Sequence, residues 1–118
     1  MADLDREWPA SWVRAVLGTG VLAVLADEDL HGYAITERLA RRGLGRPRGG
    51  SLYPLLETLQ QDGVIEATWT EGGRGPGRRT YRLTATGRTR LQEELAALDG
   101  LVAALGARSE MDSEGGGS

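Results

Sequence analysis

The feature that most limits the fold is a change of hydrophobic period in the middle of the chain. One helical face is formed by Leu52, Leu55, Leu56 and Leu59. Gly63 ends this pattern, and residues 64–70 then alternate apolar and polar side chains, as a half-buried strand does. A turn rich in glycine at residues 71–77 and a second alternating segment at 78–83 follow. A helix followed directly by a β-hairpin is therefore predicted.

Three further helices are predicted around this unit. Residues 9–26 are apolar on most sides, which favours a buried helix. A second helix is predicted at residues 31–42, with Gly43 in the position of a C-terminal cap. Thr84 is the expected N-cap of a last helix. The apolar stripe of that helix consists of Leu91, Leu95, Leu98, Val102 and Leu105.

The order helix, helix, helix, hairpin, helix is that of a winged helix-turn-helix, in which the third helix addresses the major groove and the hairpin is the wing. The fold class expected is mainly α with a small β-hairpin, a winged helix-turn-helix followed by a C-terminal dimerisation helix. The winged domain should span residues 10–84 and the dimerisation helix residues 85–108. Residues 1–9 form an N-terminal extension, and residues 109–118 are expected to be a disordered acidic tail of Gly and Ser.

The charges are segregated along the chain. The formal net charge of −3 by itself argues against nucleic acid as a partner. Residues 1–37, however, hold two Arg against seven carboxylates, residues 38–90 hold eleven Arg against four, and residues 91–118 hold one Arg against six. Every basic residue is Arg, whose planar fork suits phosphate and guanine. The basic middle segment predicts that one face of the domain binds DNA.

Composition argues against several other classes of protein. The chain has no Cys and one His, which removes disulfides, thiolate metal sites and most arrangements of catalytic nucleophiles. We therefore expect no enzymatic activity, no cofactor and no metal. The absence of Cys suits a reducing compartment. The acidic N-terminus is unlike a secretion signal, and the apolar run at residues 15–26 is short for a membrane span, so we expect a cytoplasmic protein.

Four ordered motifs carry a resemblance to a known family. They are His31-Gly-Tyr-Ala-Ile35, Gly50-Ser-Leu-Tyr-Pro54, Leu59-x-x-x-Gly63-Val-Ile65 and Tyr81-x-Leu-Thr-x-x-Gly87. Together they lie within residues 12–95, and the chain resembles the smaller members of the PadR family of bacterial transcriptional regulators, which have a single C-terminal helix. The resemblance implies a homodimer that binds an operator in double-stranded DNA, usually as a repressor, and that a small ligand often releases.

Candidate DNA contacts follow from the motifs and the arginine clusters. The expected residues are Tyr33, Arg46, Arg48, Gly50, Ser51, Tyr53, Arg74, Arg78 and Arg79. The predicted exposed face of the third helix has no Arg, Lys or Asn, and its possible base-reading amide, Gln61, lies near the far end. We therefore expect phosphate contacts from this helix, with sequence read through DNA shape and wing arginines in a minor groove. A half-buried core role is the alternative for Tyr53.

The apolar side chains of the first and last helices suggest a dimer. The predicted interface residues are Trp12, Val16, Leu91, Leu95, Leu98, Val102 and Leu105. Trp8 and Trp12 are four residues apart and are candidates for binding a small aromatic effector between protomers, with ordinary interface packing as the equally weighted alternative. Trp69, Tyr81 and Leu83 are predicted to lie in the core.

A second function remains open at this stage. The same winged helix is able to serve as a protein-interaction module, with its arginine face bound to an acidic protein partner. The absence of Arg from the exposed face of the third helix gives this alternative some support. A mobility-shift assay with DNA separates the two functions.

Overall fold

The computed structural model describes residues 5–72 and 75–106. Its elements are α1 (Ala10–Asp27), β1 (Leu30–His31), α2 (Gly32–Arg41), α3 (Gly49–Gln61), β2 (Ile65–Gly72), β3 (Gly75–Leu83) and α4 (Ala85–Ala104). The fold is mainly helical with a small antiparallel sheet, as the sequence predicts. The one element not foreseen is β1, whose two residues add a third strand to the hairpin.

The sheet has the strand order β1-β3-β2, and both pairs are antiparallel. Ile65 lies opposite Leu83 at the base of the hairpin, and Gly72 lies opposite Gly75 near its tip. The predicted turn at residues 71–77 is therefore too long, because the strands continue through most of it. Polar and glycine residues suit both a turn and an exposed strand end, so composition alone could not set this boundary.

Residue types at the element ends explain why the elements stop where they do. Gly43 has φ of +80°, a conformation that favours glycine, and ends α2. The next residue, Leu44, donates its backbone N–H to the Leu39 carbonyl at 3.0 Å. The Thr84 hydroxyl accepts the Gly87 backbone N–H at 3.0 Å and caps α4, as predicted. The predicted caps of α2 and α4 are thus confirmed.

The core lies between the helices and the inner face of the sheet. Leu52, Leu56 and Leu59 of α3 are buried, together with Tyr81 and Leu83 of β3, as the two periodicities predict. Helix α1 contributes six buried residues to the same core: Val13, Gly20, Val21, Leu22, Val24 and Leu25. Judged by length and composition alone, this 18-residue helix is long enough and apolar enough to cross a membrane. A third of the helix is buried, and its packing in the core accounts for that part of its apolar character.

The prediction that Trp69 lies in the core is wrong. Trp69 shares a face of β2 with Ile65 and Ala67, which is why its alternation indicates burial. Ile65 is buried and Ala67 is partly buried, but Trp69 is 62% exposed. The burial decreases outward along the strand because the hairpin extends beyond the helices that cover its base.

The described part of the N-terminal extension is attached to the domain. Residue 6 forms a β-bridge with Leu44, and the Glu7 backbone N–H donates to the Gly43 carbonyl at 2.8 Å. The Gly45 N–H donates to the Asp5 carbonyl at 3.0 Å. Residues 5–7 therefore pack beside the loop between α2 and α3. The predicted tail at residues 109–118 and the end of the dimerisation helix at 107–108 lie outside the described residues.

Candidate nucleic-acid interface

Helix α3 turns one face to the core and the other to solvent. Because its leucines are buried, the polar side chains on the opposite side are exposed, as predicted; these are Ser51, Tyr53, Glu57, Thr58 and Gln61. Gly49 and Gly50 are exposed in its first turn, and the helix has no side-chain cap on its N-terminal amides. A Cβ on Gly50 would meet nothing within 4 Å. This end of α3 is open for another molecule to approach the backbone closely.

Two tyrosines stand at the corner where α2 meets α3. Tyr33 is 69% exposed and Tyr53 is 52% exposed. The Tyr53 ring lies against Gly32, since a Cβ on that glycine would be 2.5 Å from the Tyr53 hydroxyl oxygen. Tyr53 is therefore not a core residue, and its hydroxyl lies beside the first residue of α2. The arrangement leaves both phenols accessible next to the open end of α3.

Strand β1 connects this corner to the wing. His31 pairs with Thr80 of β3 and immediately precedes Gly32, the glycine against which Tyr53 packs. Arg78 and Arg79 are exposed and lie just beyond Thr80 on the same strand. Through β1, the first turns of α2 and α3 are thus linked to the strand that carries the two wing arginines, which leave opposite faces of β3. We call Tyr33, Arg48, Gly49, Gly50, Ser51, Tyr53, Arg78 and Arg79 the corner surface.

The arginines of the corner surface have no acidic partner among the side chains that the structure describes. Arg48, at the N-cap of α3, is exposed. Neither it nor Arg78 or Arg79 forms an ion pair with any carboxylate whose side chain the structure describes. Arg74, the other predicted wing contact, lies outside the described residues. Free guanidinium groups around exposed backbone amides are what an anionic partner requires.

Other arginines of the basic segment are paired. Arg38 lies 3.1 Å from Glu28, and Arg42 lies 3.0 Å from Asp27. Two more pairs, Arg82 with Glu66 at 2.8 Å and Arg90 with Asp62 at 3.0 Å, occur on the hairpin and at the base of α4. The excess of positive charge counted along the sequence is therefore concentrated on fewer side chains than the count suggests.

Arg46, another predicted DNA contact, has carboxylate partners within the protein. Its guanidinium forms an ion pair with Glu37 at 2.8 Å and a second with Asp5. It joins the N-terminal segment to α2, so part of its charge is already paired. The sequence could not show this, because Asp5 is 41 residues away along the chain.

Helix α4 begins in the core and ends outside it. Leu91 is buried in the protomer's own core, so its prediction as an interface residue is wrong; the first turns of α4 pack on α1. Farther along, Leu95 is 50% exposed, Val102 44% and Leu105 79%. Leu101, which the predicted stripe omitted, is 55% exposed. Trp12 on α1 is also exposed, and Val16 is partly buried.

A polar contact joins α4 to α1. The Thr19 hydroxyl donates to a Glu94 carboxylate oxygen at 2.5 Å, and the Arg90 guanidinium lies 2.9 Å from the other oxygen. Burial alone would raise the pKa of Glu94, but the hydrogen bonds from Thr19 and Arg90 and the charge of Arg90 together lower that pKa below its usual value. The hydrogen bonds to Glu94 and Asp62 raise the pKa of Arg90. The contact fixes the base of α4.

Two cavities lie beside α1. One, of about 200 Å³, has Val16, Thr19, Gly20, Ala23, Arg42, Leu44, Leu95 and Leu98 as its lining. The other, of about 220 Å³, is lined by Arg6, Ala10, Val13, Arg14, Leu17, Leu44, Arg46, Pro47 and Ser51. Trp8 and Trp12, the predicted ligand residues, line neither; Trp8 lies beside Gly43 and is 44% exposed. The structure therefore does not bring the two indoles together around one of these cavities.

The sequence of the chain matches a known family. The family model described as the transcriptional regulator PadR-like family matches residues 21–93. A transcriptional regulator of Mycobacterium tuberculosis is 38% identical over 88 residues, which are 75% of this chain and 80% of that protein.

Solved structures share the fold. A PadR family transcriptional regulator from Eggerthella lenta aligns with a TM-score of 0.69 and 33% identity, over 81% of this chain and 80% of that one. Bacillus subtilis PadR, solved in complex with operator DNA, aligns with a TM-score of 0.61 and 28% identity, over 68% of this chain and 47% of that one.

Proposed function

The chain belongs to the PadR-like family of transcriptional regulators, and from this premise we propose that it binds an operator in double-stranded DNA and acts as a cytoplasmic repressor. The observation that carries the proposal is the corner surface. Arg48, Arg78 and Arg79 are exposed and unpaired among the described side chains; Arg48 precedes the open N-terminal end of α3, and β1 links the neighbouring start of α2 to the strand that carries Arg78 and Arg79. The phosphates of a DNA duplex supply the negative charges that pair with these guanidinium groups.

The proposed mode of binding places α3 in the major groove and the wing beside an adjacent groove. Ser51 and Tyr53 donate their hydroxyl hydrogens to phosphate oxygens, and the amides of Gly49 and Gly50 approach the backbone directly. Exposed Glu57 and Gln61 are farther along the same helix, and neither is a bidentate partner for guanine. Most of the sequence preference then comes from the shape of the groove and from Arg in the wing.

We further propose that two copies assemble through the exposed half of α4. Leu95, Leu101, Val102 and Leu105 are all at least 44% exposed, and the apolar cavity beside Leu95 continues their surface toward α1. A two-fold dimer covers these side chains in each protomer with the same side chains of its partner. It also presents two α3 helices to a palindromic operator, with half-sites spaced by one turn of DNA.

Light scattering after size exclusion tests the dimer. The wild type should elute with twice the mass of one chain, and Leu101→Asp should elute as a folded monomer, because a carboxylate would be buried without a partner. Glu93→Asp, an exposed position on the same helix, is the matched control. A wild-type monomer at micromolar concentration would contradict the dimer.

Release by a small aromatic effector is the remaining part of the proposal. Trp8 and Trp12 are the candidate ligand residues, and both are partly accessible in the protomer, at 44% and 65%. A fluorescence titration with a panel of aromatic compounds tests this role, with DNA binding measured in parallel. Quenching that saturates and lowers DNA affinity supports an effector site; quenching without an effect on DNA shows binding without regulation.

A mobility-shift assay with the duplex upstream of the gene for this chain tests the function. We expect a saturable shift at low salt that weakens as salt rises, because released counterions drive binding. The control is competition of the labelled complex by unlabelled duplex or by an acidic protein, each added at equal total charge. Displacement by the unlabelled duplex and not by the acidic protein supports a DNA-binding regulator. No shift with any duplex at low salt would favour the protein-interaction module instead.

A further inference from the structure

The wing carries an exposed tryptophan that the corner surface does not include. Trp69 is 62% exposed, although it shares the core-facing side of β2 with Ile65 and Ala67. It takes part in no hydrogen bond or ring contact with the side chains that the structure describes. An exposed indole offers a partner both a large apolar ring and an N–H donor.

Arg79 stands directly opposite this tryptophan. The two residues are register partners across β2 and β3, so their side chains leave the same face of the sheet about 5 Å apart at Cβ. Arg79 has no ion pair with a described carboxylate. Glu66, the nearest acidic residue on β2 whose side chain is described, lies on the other face and is paired with Arg82 at 2.8 Å. The Trp69–Arg79 pair therefore combines a flat apolar ring with a cation that no described carboxylate pairs.

The Trp69–Arg79 pair lies one cross-strand pair farther from the helices than the residues through which the sheet connects to the corner surface. The next row inward on this face is Ala67 with Tyr81, and Tyr81 in turn pairs with Leu30 of β1. Strand β1 leads into Gly32, on which Tyr53 of α3 packs. Trp69 and Arg79 thus lie on the face of the wing that continues outward from this row, and Thr68 and Arg78 lie on the opposite face.

We propose that Trp69 and Arg79 together hold one sugar-phosphate strand of duplex DNA. The Arg79 guanidinium pairs with a phosphate, while the Trp69 ring packs on the neighbouring deoxyribose and its Nε1–H donates to a phosphate oxygen. The inference rests on the proposed function, and it adds a contact that does not depend on base sequence. Charge decides for DNA over an apolar partner, since the Arg79 guanidinium, which no described carboxylate pairs, would need an anionic partner once water is excluded from the ring.

Labelling the full chain with 5-fluorotryptophan gives the most direct test. The chain has three Trp, so three ¹⁹F resonances are expected, and Trp69→Phe assigns one of them. A fluorescein-labelled duplex in the same samples reports DNA binding by anisotropy. We expect the chemical shift of the Trp69 resonance to change in proportion to the fraction of bound duplex that the anisotropy reports. In the bound state, the difference between its chemical shifts in H₂O and D₂O should disappear, because the ring is no longer in contact with water.

Each other outcome overturns the inference in a recognisable way. If the duplex binds and the Trp69 resonance keeps its solvent shift, the contact is wrong and the proposed function stands. If no duplex binds at low salt, the proposed function and the Trp69 contact are both wrong. If the resonance moves with protein concentration in the absence of DNA, a second copy of the chain covers Trp69 instead.

Substitutions separate the two halves of the contact. Trp69→Ala should weaken binding about tenfold to any duplex, with the salt dependence unchanged, because the ring carries no charge. Arg79→Ala should lower the slope of log affinity against log salt by about 0.9. Trp69→Phe should lie between the wild type and Trp69→Ala. Thr68→Ala, on the opposite face of β2, is the matched control. Equal losses for Thr68→Ala and Trp69→Ala would contradict the proposed face.

Discussion

The arginines near α2 and the arginines of the wing belong to the same basic stretch of sequence, but their surroundings differ. Arg38, Arg42 and Arg46 each have a carboxylate within 3.1 Å. Arg78 and Arg79 have none among the described side chains. The first group ties helices and the N-terminal segment together, whereas the second is available to a partner. Positive charge therefore indicates a binding face only where carboxylates of the same protein do not already pair with it.

The largest effect that would sharpen this comparison is expected at the wing. Arg78→Ala combined with Arg79→Ala should weaken DNA binding roughly thirtyfold, since each lost phosphate contact removes about 1 kcal/mol. The slope of log affinity against log salt should fall by about 1.8. Fluorescence anisotropy at several salt concentrations measures both quantities. An unchanged slope would show that the wing arginines do not touch phosphate.

A methyl group on α3 should affect stability and binding in opposite directions. Gly50→Ala has open space for its Cβ and should raise the free energy of unfolding by about 0.5 kcal/mol, because alanine loses less backbone entropy than glycine in a helix. The same methyl group should weaken DNA binding about tenfold by holding the backbone away from phosphate. Urea denaturation and anisotropy measure the two effects.

Gly100→Ala provides the matched control for that substitution. Gly100 is an exposed residue of α4, and its added Cβ would also meet nothing within 4 Å. It should gain the same stability with no change in DNA affinity. A parallel loss of binding in both variants would remove α3 from the proposed interface.

For the ion-paired arginines we expect an effect on stability and none on DNA binding. Arg46→Ala should lower the free energy of unfolding by about 1 kcal/mol, because two partly exposed ion pairs are lost. The salt dependence of DNA binding should stay as it is in the wild type. Arg48→Ala, two residues along the chain, should leave stability unchanged and lower the salt slope by about 0.9. A reversal of these two results would break the division between paired and free arginines.

The smallest expected effect concerns Glu94, whose partner Arg90 also forms an ion pair with Asp62. The folded-state pKa of Glu94 is below its ordinary value of 4.5, so the ionised carboxylate stabilises the fold above that pH. This contribution is lost as the pH falls through the folded pKa. Glu94→Gln should cost about 0.5 kcal/mol at pH 7 and little at pH 3.

Denaturation at a series of pH values measures this difference. The exposed neighbour Glu93 supplies the control, since Glu93→Gln should leave the pH dependence of wild-type stability in place. If the cost of Glu94→Gln were the same at pH 3 and pH 7, the carboxylate would contribute nothing through its charge.

The order of elements could be predicted because its signals are local. The leucine stripe of α3, the alternation in β2 and β3, and caps such as Gly43 and Thr84 all act within a few residues. These features predict a winged helix without information on any tertiary contact. The third strand escaped notice because a two-residue strand has no periodicity to detect.

The parts of the site that the sequence could not provide depend on distant residues. Arg46 pairs with Asp5, 41 positions away, and Arg90 pairs with Asp62, 28 positions away. Trp69 follows the pattern of a core residue, but the wing extends past the helices that would cover it. Leu91 continues the stripe of α4 and is nonetheless buried at the foot of that helix. Periodicity identifies a face, while tertiary packing decides how far along the element that face is covered.

The central claim is that the corner surface meets DNA, and affinity cleavage tests it most directly. Because the chain has no Cys, Glu57→Cys provides a single attachment point for an iron chelate on the exposed side of α3, and Glu93→Cys provides one on α4. With the upstream duplex bound, as anisotropy verifies for each labelled variant, the chelate at residue 57 should cut the DNA at two sites related by two-fold symmetry, and the chelate at residue 93 should cut weakly. Equal cutting from both positions, or none from residue 57, would contradict DNA binding by this face.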